Sequence, residues 1–233
     1  NEKIRKAFAM AIDRQSLIDN VTKAGQTPAF GFVPTSIAGL NNQSFRDEFP
    51  DADYFKEDAA AAKTMLEEGM KEEGITTLPP ITLLYNTSEN HQKLALAVAD
   101  MWKNTLGVEI QTKNEEWSVF LESRKTGNFQ IARAGWSADY NDPMTFMDMF
   151  VSGGGNNNTG FANKEYDALI DSAYKGGNDP EKRMQDMAAA EKMLIQDNMV
   201  ILPVYYYTQA SLTKPYLKGV TTDFSGAINF TRA

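Results

Sequence analysis

The chain has 233 residues, no cysteine and a single histidine, His91. Without thiols there is no disulfide, no thiolate metal site and no cysteine nucleophile. With one imidazole, metal sites and catalytic triads that need several histidines are excluded. A Ser/His/Asp site is left with His91 alone, and no Gly-x-Ser-x-Gly turn is present to offer the serine. No run approaches the ~20 apolar residues of a membrane-spanning helix. Positive charge is also short: 23 Lys and Arg stand against 31 Asp and Glu, a net charge of -8. That balance argues against nucleic acid, whose protein partners present basic faces, and fits a soluble monomer. No phosphate-cradling loop exists, because Gly153-Gly154-Gly155 lacks a following Lys-Ser/Thr. The acidic runs lack the spacing of a calcium loop, and no cofactor is implied.

What is present is enough apolar material, 42% of residues, to bury a core. No internal repeat and no two-domain boundary is visible, so the expectation is one unit over 1–233. The chain runs from Asn1 straight into a helix with no initiator Met and stops abruptly at Ala233, as expected of a segment of a longer protein.

Ile4, Phe8 and Ala11 share a face over residues 2–11, and Asp13 caps a second helix through Val21 with Gly25 as its C′ residue. Pro28 to Pro34 reads as extended. Thr35 to Asp53 has no period and is expected to be a long surface loop with a binding or lid role. A helix over 56–70 follows. The middle then alternates: a strand over 81–85, a helix from Ser88 to Leu106, a strand over 108–112, a short helix from Trp117 to Arg124, and a strand over 129–134. That order predicts an α/β fold with a mostly parallel sheet covered by helices. A helix from Met144 to Phe150, a flexible Ser/Gly/Asn-rich loop over 151–160, and helices over 165–174 and 180–196 come next. Met184, Met187 and Met193 are core filler. Met199 to Tyr207 reads as a buried strand near an edge, because of Pro203, and Gln209 to Thr213 as a short return strand.

The stretch Phe129-Gln130-Ile131-Ala132-Arg133-Ala134-Gly135-Trp136-Ser137-Ala138-Asp139-Tyr140-Asn141-Asp142-Pro143 carries the densest chemistry. A strand that breaks at a Gly into a polar-aromatic loop is where open α/β sheets place ligands. Glu115-Glu116 and Asp139/Asp142 are the tight carboxylate clusters near strand ends. Adjacent acids on loops are usually solvated rather than catalytic, and neither cluster has the signature of a hydrolase. Asp139, beside Trp136 and Tyr140, suits a cationic ammonium against an aromatic wall. Arg133 suits a carboxylate. His91, in the first turn of a helix at the strand end, is a surface residue or a ligand contact. Charges of both signs around exposed backbone fit an extended zwitterion, and a peptide is the natural one.

The run Ile131 to Pro143 closely resembles the signature loop of oligopeptide-binding proteins of bacterial ABC importers, extracellular solute-binding protein family 5. Phe8-Ala9-Met10-Ala11-Ile12-Asp13-Arg14, Leu84-Tyr85-Asn86-Thr87-Ser88-Glu89-Asn90-His91 and Ile201-Leu202-Pro203-Val204-Tyr205-Tyr206-Tyr207 are similar to other segments of the same family, in the same order. The resemblance implies a type II periplasmic-binding-protein-like lobe, the second of two that enclose a peptide, with the other lobe absent from this segment. It implies no bond chemistry and delivery of short peptides to an ABC permease. It also implies an extracytoplasmic location, lipid-anchored on the outer face of the membrane or periplasmic. By position, Asp139 matches the aspartate that pairs with the peptide α-ammonium. Trp136 and Ser137 match residues that meet the peptide main chain, and Arg133 and His91 match residues that receive its carboxylate. Lys23, or Thr22 beside it, stands where some members carry a lysine for the same task. The alternative within the fold is a receptor for a peptide pheromone or a cell-wall peptide.

Overall fold

The computed structural model describes residues 1–51 and 54–230. Helix α1 spans Glu2–Met10, α2 Arg14–Leu17, α3 Phe45–Glu48, α4 Ala59–Glu72, α5 Glu89–Leu106, α6 Trp117–Lys125, α7 Met144–Met147, α8 Lys164–Lys175 and α9 Pro180–Lys192. Strand β1 is Thr27–Pro28, β2 Ile81–Asn86, β3 Ile110–Glu115, β4 Ile131–Ala132, β5 Tyr205–Tyr206, β6 Thr221–Thr222 and β7 Ile228–Asn229. Short polar side chains start the helices: Asn1, Asp13, Asp58, Asn163 and Asp179 each accept a first-turn backbone N–H at α1, α2, α4, α8 and α9.

The parallel sheet has the order β3-β2-β4. β2 and β3 pair from Ile81↔Ile110 to Asn86↔Glu115. One face of β2, with Leu83 and Tyr85, packs on α1, α4 and α5 through Phe8, Leu66, Leu94 and Trp102. The Trp102 indole donates to the Phe8 carbonyl at 2.8 Å, which fixes α5 to α1. A Cβ on Gly69 would stand 2.8 Å from Ile4 Cγ1, so α4 approaches α1 more closely than any larger residue permits.

A second core lies around α7, α8 and α9, built from Phe146, Tyr166, Ile170, Met187, Leu194 and the returning segment at Val33 and Ile37. It is stitched by a buried ion pair. Glu191, with no exposed surface, takes Arg46 on both carboxylate oxygens. It also accepts from the N–H groups of Phe32 at 2.7 Å and Val33 at 2.9 Å, and from the Tyr54 hydroxyl at 3.0 Å. The two cores share Leu202, just ahead of a short antiparallel ribbon, β1 with β5. Arg14, wholly buried, binds both sides of that junction: its guanidinium donates to the carbonyls of Ala9, Ile12, Ala29 and Pro203. Burial pulls its pKa down to about 10, against the pull of Glu57.

The α/β class and the alternation from residue 81 to 132 stand as expected from the sequence. Four local readings do not. The stretch 35–51 is not a featureless loop (52 and 53 lie outside the described residues): it holds α3, capped by a Ser44–Asp47 capping box, with Phe45 and Arg46 buried. The left-handed residue that closes the second helix is Lys23, at φ 52°, two places before Gly25. The run 199–207 is strand only at Tyr205–Tyr206, with the Val204 carbonyl accepting the Ala29 N–H at 3.2 Å beside it; Met199 takes φ 43° and the Pro203 carbonyl goes to Arg14 instead of a ladder. Gln209 to Thr213 forms no strand; the pairing near the chain's end is the β6–β7 hairpin. Strand bounds also shift: β3 starts at Ile110, and β4 keeps two residues of the six expected. The loop expected to be flexible after Phe150 is tied down by Asn157, whose amide donates to the Phe150, Val151 and Phe161 carbonyls.

Candidate functional site

The carboxyl ends of the three parallel strands bring Asn86, Glu115 and Arg133 together, with Asn86 opposite Glu115 in register and the Arg133 N–H on the Leu84 carbonyl at 2.8 Å. His91 sits in the first turn of α5, close after Asn86. Its Nδ1 is buried without a hydrogen-bond partner, as is Asn86 Oδ1. Partial burial holds the His91 pKa below the ordinary imidazole value, and the positive Arg133 pushes the same way, so the ring is neutral at pH 7. Arg124, on α6, feels Arg133 as well: burial and that like charge both lower its pKa. Arg133 is thus within electrostatic reach of both His91 and Arg124, and among the described residues neither arginine has an ion-pair partner. Glu115, the acid at these strand ends, is paired with Lys113 at 2.8 Å; the two guanidiniums are left to favour an anionic group, and a carboxylate fits the planar fork. Sequence reading missed Arg124. The available signal was its place one turn beyond Phe120, over whose ring it lies at 5.5 Å, on the helix that leads into β4.

Beyond Arg133 the backbone leaves the sheet. From Ala134 to Ala138 it makes no backbone–backbone hydrogen bond among the described residues. Gly135 lies against Arg133 and the Tyr207 ring, each 3.5 Å from where its Cβ would be. Arg133 also bonds the Tyr207 hydroxyl, and the Tyr205 and Tyr207 rings stand edge to face at 5.2 Å. Trp136 is half-buried, packed against the second core, with its indole N–H buried and unpartnered. It is therefore less of a free aromatic wall than the sequence suggested. Ser137, Asp139 and Tyr140 are exposed. The Asp139 N–H donates to the buried Thr145 hydroxyl at 3.1 Å, while its carboxylate has no partner among the described residues. Burial, and then Asp148 and Asp142, raise the Tyr140 pKa.

Lys23 stands apart from these groups. It is exposed, and its side chain contacts none of the other candidates. The turn it closes does touch the Tyr207 segment, through the Thr208 hydroxyl on the Ala24 carbonyl at 2.7 Å. Thr22 spends its hydroxyl on Gln26 at 2.9 Å. Among the described residues no cluster of acids and imidazole has the makings of a metal site.

An open parallel sheet with charged groups at its strand ends and free backbone beside them defines a ligand-binding α/β lobe. The chain belongs to the bacterial extracellular solute-binding proteins of family 5, whose middle-region model matches residues 1–158. It is 42% identical over 229 residues to the dipeptide-binding protein DppE of Bacillus subtilis, covering 98% of this chain and 41% of that protein. It is 40% identical to the periplasmic murein peptide-binding protein MppA of Escherichia coli, over 94% of this chain and 40% of that one. The peptide-bound structure of OppA from Listeria monocytogenes superposes with a TM-score of 0.81 at 32% identity, over 99% of this chain and 44% of that chain. The chain thus spans about two fifths of the length of these relatives.

Proposed function

We propose that residues 1–233 are the second peptide-binding lobe of a two-lobed protein that captures short oligopeptides and delivers them to an ABC permease. The observation that carries this reading is the backbone from Ala134 to Ala138, unpaired among the described residues and bordered by the Arg133 guanidinium and by a carboxylate, Asp139, that has no partner among them. A strand-like peptide supplies what that border lacks: main-chain N–H and C=O groups, an ammonium for Asp139 and a carboxylate for Arg133, Arg124 and His91. Trp136 and Ser137 then meet the ligand main chain and Tyr140 flanks its amino end. Lys23 takes the carboxylate of a longer peptide.

Peptides of many sequences are accepted because termini and main chain carry the affinity, while water fills around side chains. The protein does no bond chemistry; closure of two lobes is its signal. It acts as a monomer outside the cytoplasm, lipid-anchored or periplasmic. The fully exposed Leu212 and the exposed Tyr216 and Phe230 support a neighbouring lobe that covers them. Likeness to proteins named for dipeptide, murein peptide and oligopeptide binding supports the ligand class. The murein relative also supports a second reading, a cell-wall-peptide or pheromone receptor of the same fold; ligand breadth separates the two.

The test is Asp139→Ala in the full-length protein. Peptides with a free amino terminus should weaken by about 2–5 kcal/mol, the loss expected when one partner of a desolvated charge pair is removed. N-acetylated peptides should lose much less. Equal losses by calorimetry would refute the ammonium role.

A further inference from the structure

We propose that Arg183 on α9 is the positioning residue for the Asp139 loop, acting through its ion pair with Asp142. The proposal rests on the peptide reading above and adds to it the group that aims the anchoring carboxylate. Residues 133–143 contain no helix or strand, so nothing periodic fixes where Asp139 points. Beyond Arg133, which is held at the sheet by Leu84 and Tyr207, three side-chain ties reach the loop from other parts of the described chain. The Asp139 N–H meets Thr145 at 3.1 Å, and Asn141 Oδ1 accepts the Ala38 N–H at 2.9 Å. The third is the one ionic tie. Arg183 reaches both oxygens of Asp142 with separate nitrogens, each at 2.8 Å, in a paired fork. Asp142 Oδ1 also accepts the Met144 N–H at 2.9 Å, so one carboxylate both caps the start of α7 and receives α9.

The geometry distinguishes this pair from an ordinary surface bridge. Both partners are largely covered, with side-chain exposures of 22% and 26%, so water and salt screen them less than they screen exposed lysine pairs such as Lys175 with Asp171. A forked guanidinium fixes rotation as well as distance, which a point charge does not. Arg183 itself stands on a 13-residue helix whose inner side, through Met184, Met187 and Ala190, is locked into the second core. Asp142 is three residues from Asp139. The ion pair therefore refers the loop to a helix anchored in the second core.

The test compares wild type, Arg183→Met, Arg183→Lys and Asp139→Ala in the full-length protein. One peptide is used in free-amino and N-acetyl forms, and amide hydrogen exchange is followed in the ligand-free state. Arg183→Met is expected to weaken the free-amino peptide about tenfold and the acetylated form less than about twofold, a loss near 1.4 kcal/mol for the first. Exchange at residues 136–142 should rise while α8 and α9 keep their protection. Arg183→Lys, which keeps the charge and loses the fork, should recover part of the affinity. Wild-type affinity in Arg183→Met, equal loss for both peptides, unchanged exchange in the loop, or no recovery with lysine would each overturn the proposal. If Asp139→Ala fails to separate the two peptides, the ammonium reading falls, and loop exchange still decides the positioning role. If Arg183→Met does not fold, Asp142→Asn carries the same expectations.

Discussion

At the strand ends Arg133 acts on His91 and Arg124 in the same direction as burial, and second to it. Partial burial of the ring, and then the Arg133 charge, hold the folded His91 pKa below the ordinary 6.5. The unfolded chain therefore takes up its proton first as pH falls. Stability that is complete above pH 6.5 is lost as pH drops from there through the lower folded value. The replacement His91→Gln should flatten that part of the stability profile, and urea titrations between about pH 7 and 5 would show it. Some residues of this kind announce themselves in a sequence and others do not. Asp139 and Arg133 stand in a dense polar-aromatic run. Arg46 and Glu191 lie 145 positions apart, and nothing local to either marks a buried pair. Arg124 was hidden because a basic residue near the end of a helix is expected for capping reasons alone.

Among the elements, α1 and α4 show the tightest constraint. At Gly69 a methyl group would meet Ile4 Cγ1 at 2.8 Å and the Ile4 backbone N at 3.0 Å. Gly69→Ala should force the helices apart and cost about 1–3 kcal/mol of stability, read from denaturant midpoints. If the variant unfolds at the wild-type midpoint, α1 is free to slide. Elements with long, clean patterns were legible: the apolar β2 and the 18-residue α5 emerge where their residues predict. The apolar run from Met199 to Tyr207 misled, because hydrophobicity reports burial and not pairing. Here burial comes from packing against both cores at Leu202, and the carbonyl of Pro203 is taken by a side chain from far upstream. The helix at 45–48 was missed because four residues are too few to show a period.

At the scale of the whole molecule, two cores share one junction, and the candidate site lies along an edge with no cover of its own. A site open on one side excludes little water, so the isolated chain should fold and yet bind peptide at least about a hundredfold more weakly than the full-length protein, as calorimetry on both would establish. Comparable affinities would mean that this lobe alone encloses its ligand. The stretch from Ala134 to Ala138 has one more consequence. Its vacant amide and carbonyl groups are a vocabulary that every polypeptide speaks, and a second copy of the same chain speaks it too. Mutual repulsion from a net charge of -8 keeps such copies apart in dilute buffer, and added salt silences that repulsion while leaving the edge as receptive as before. An open edge of this kind should therefore make self-association of the solitary lobe rise with ionic strength, which light scattering across a salt series would show.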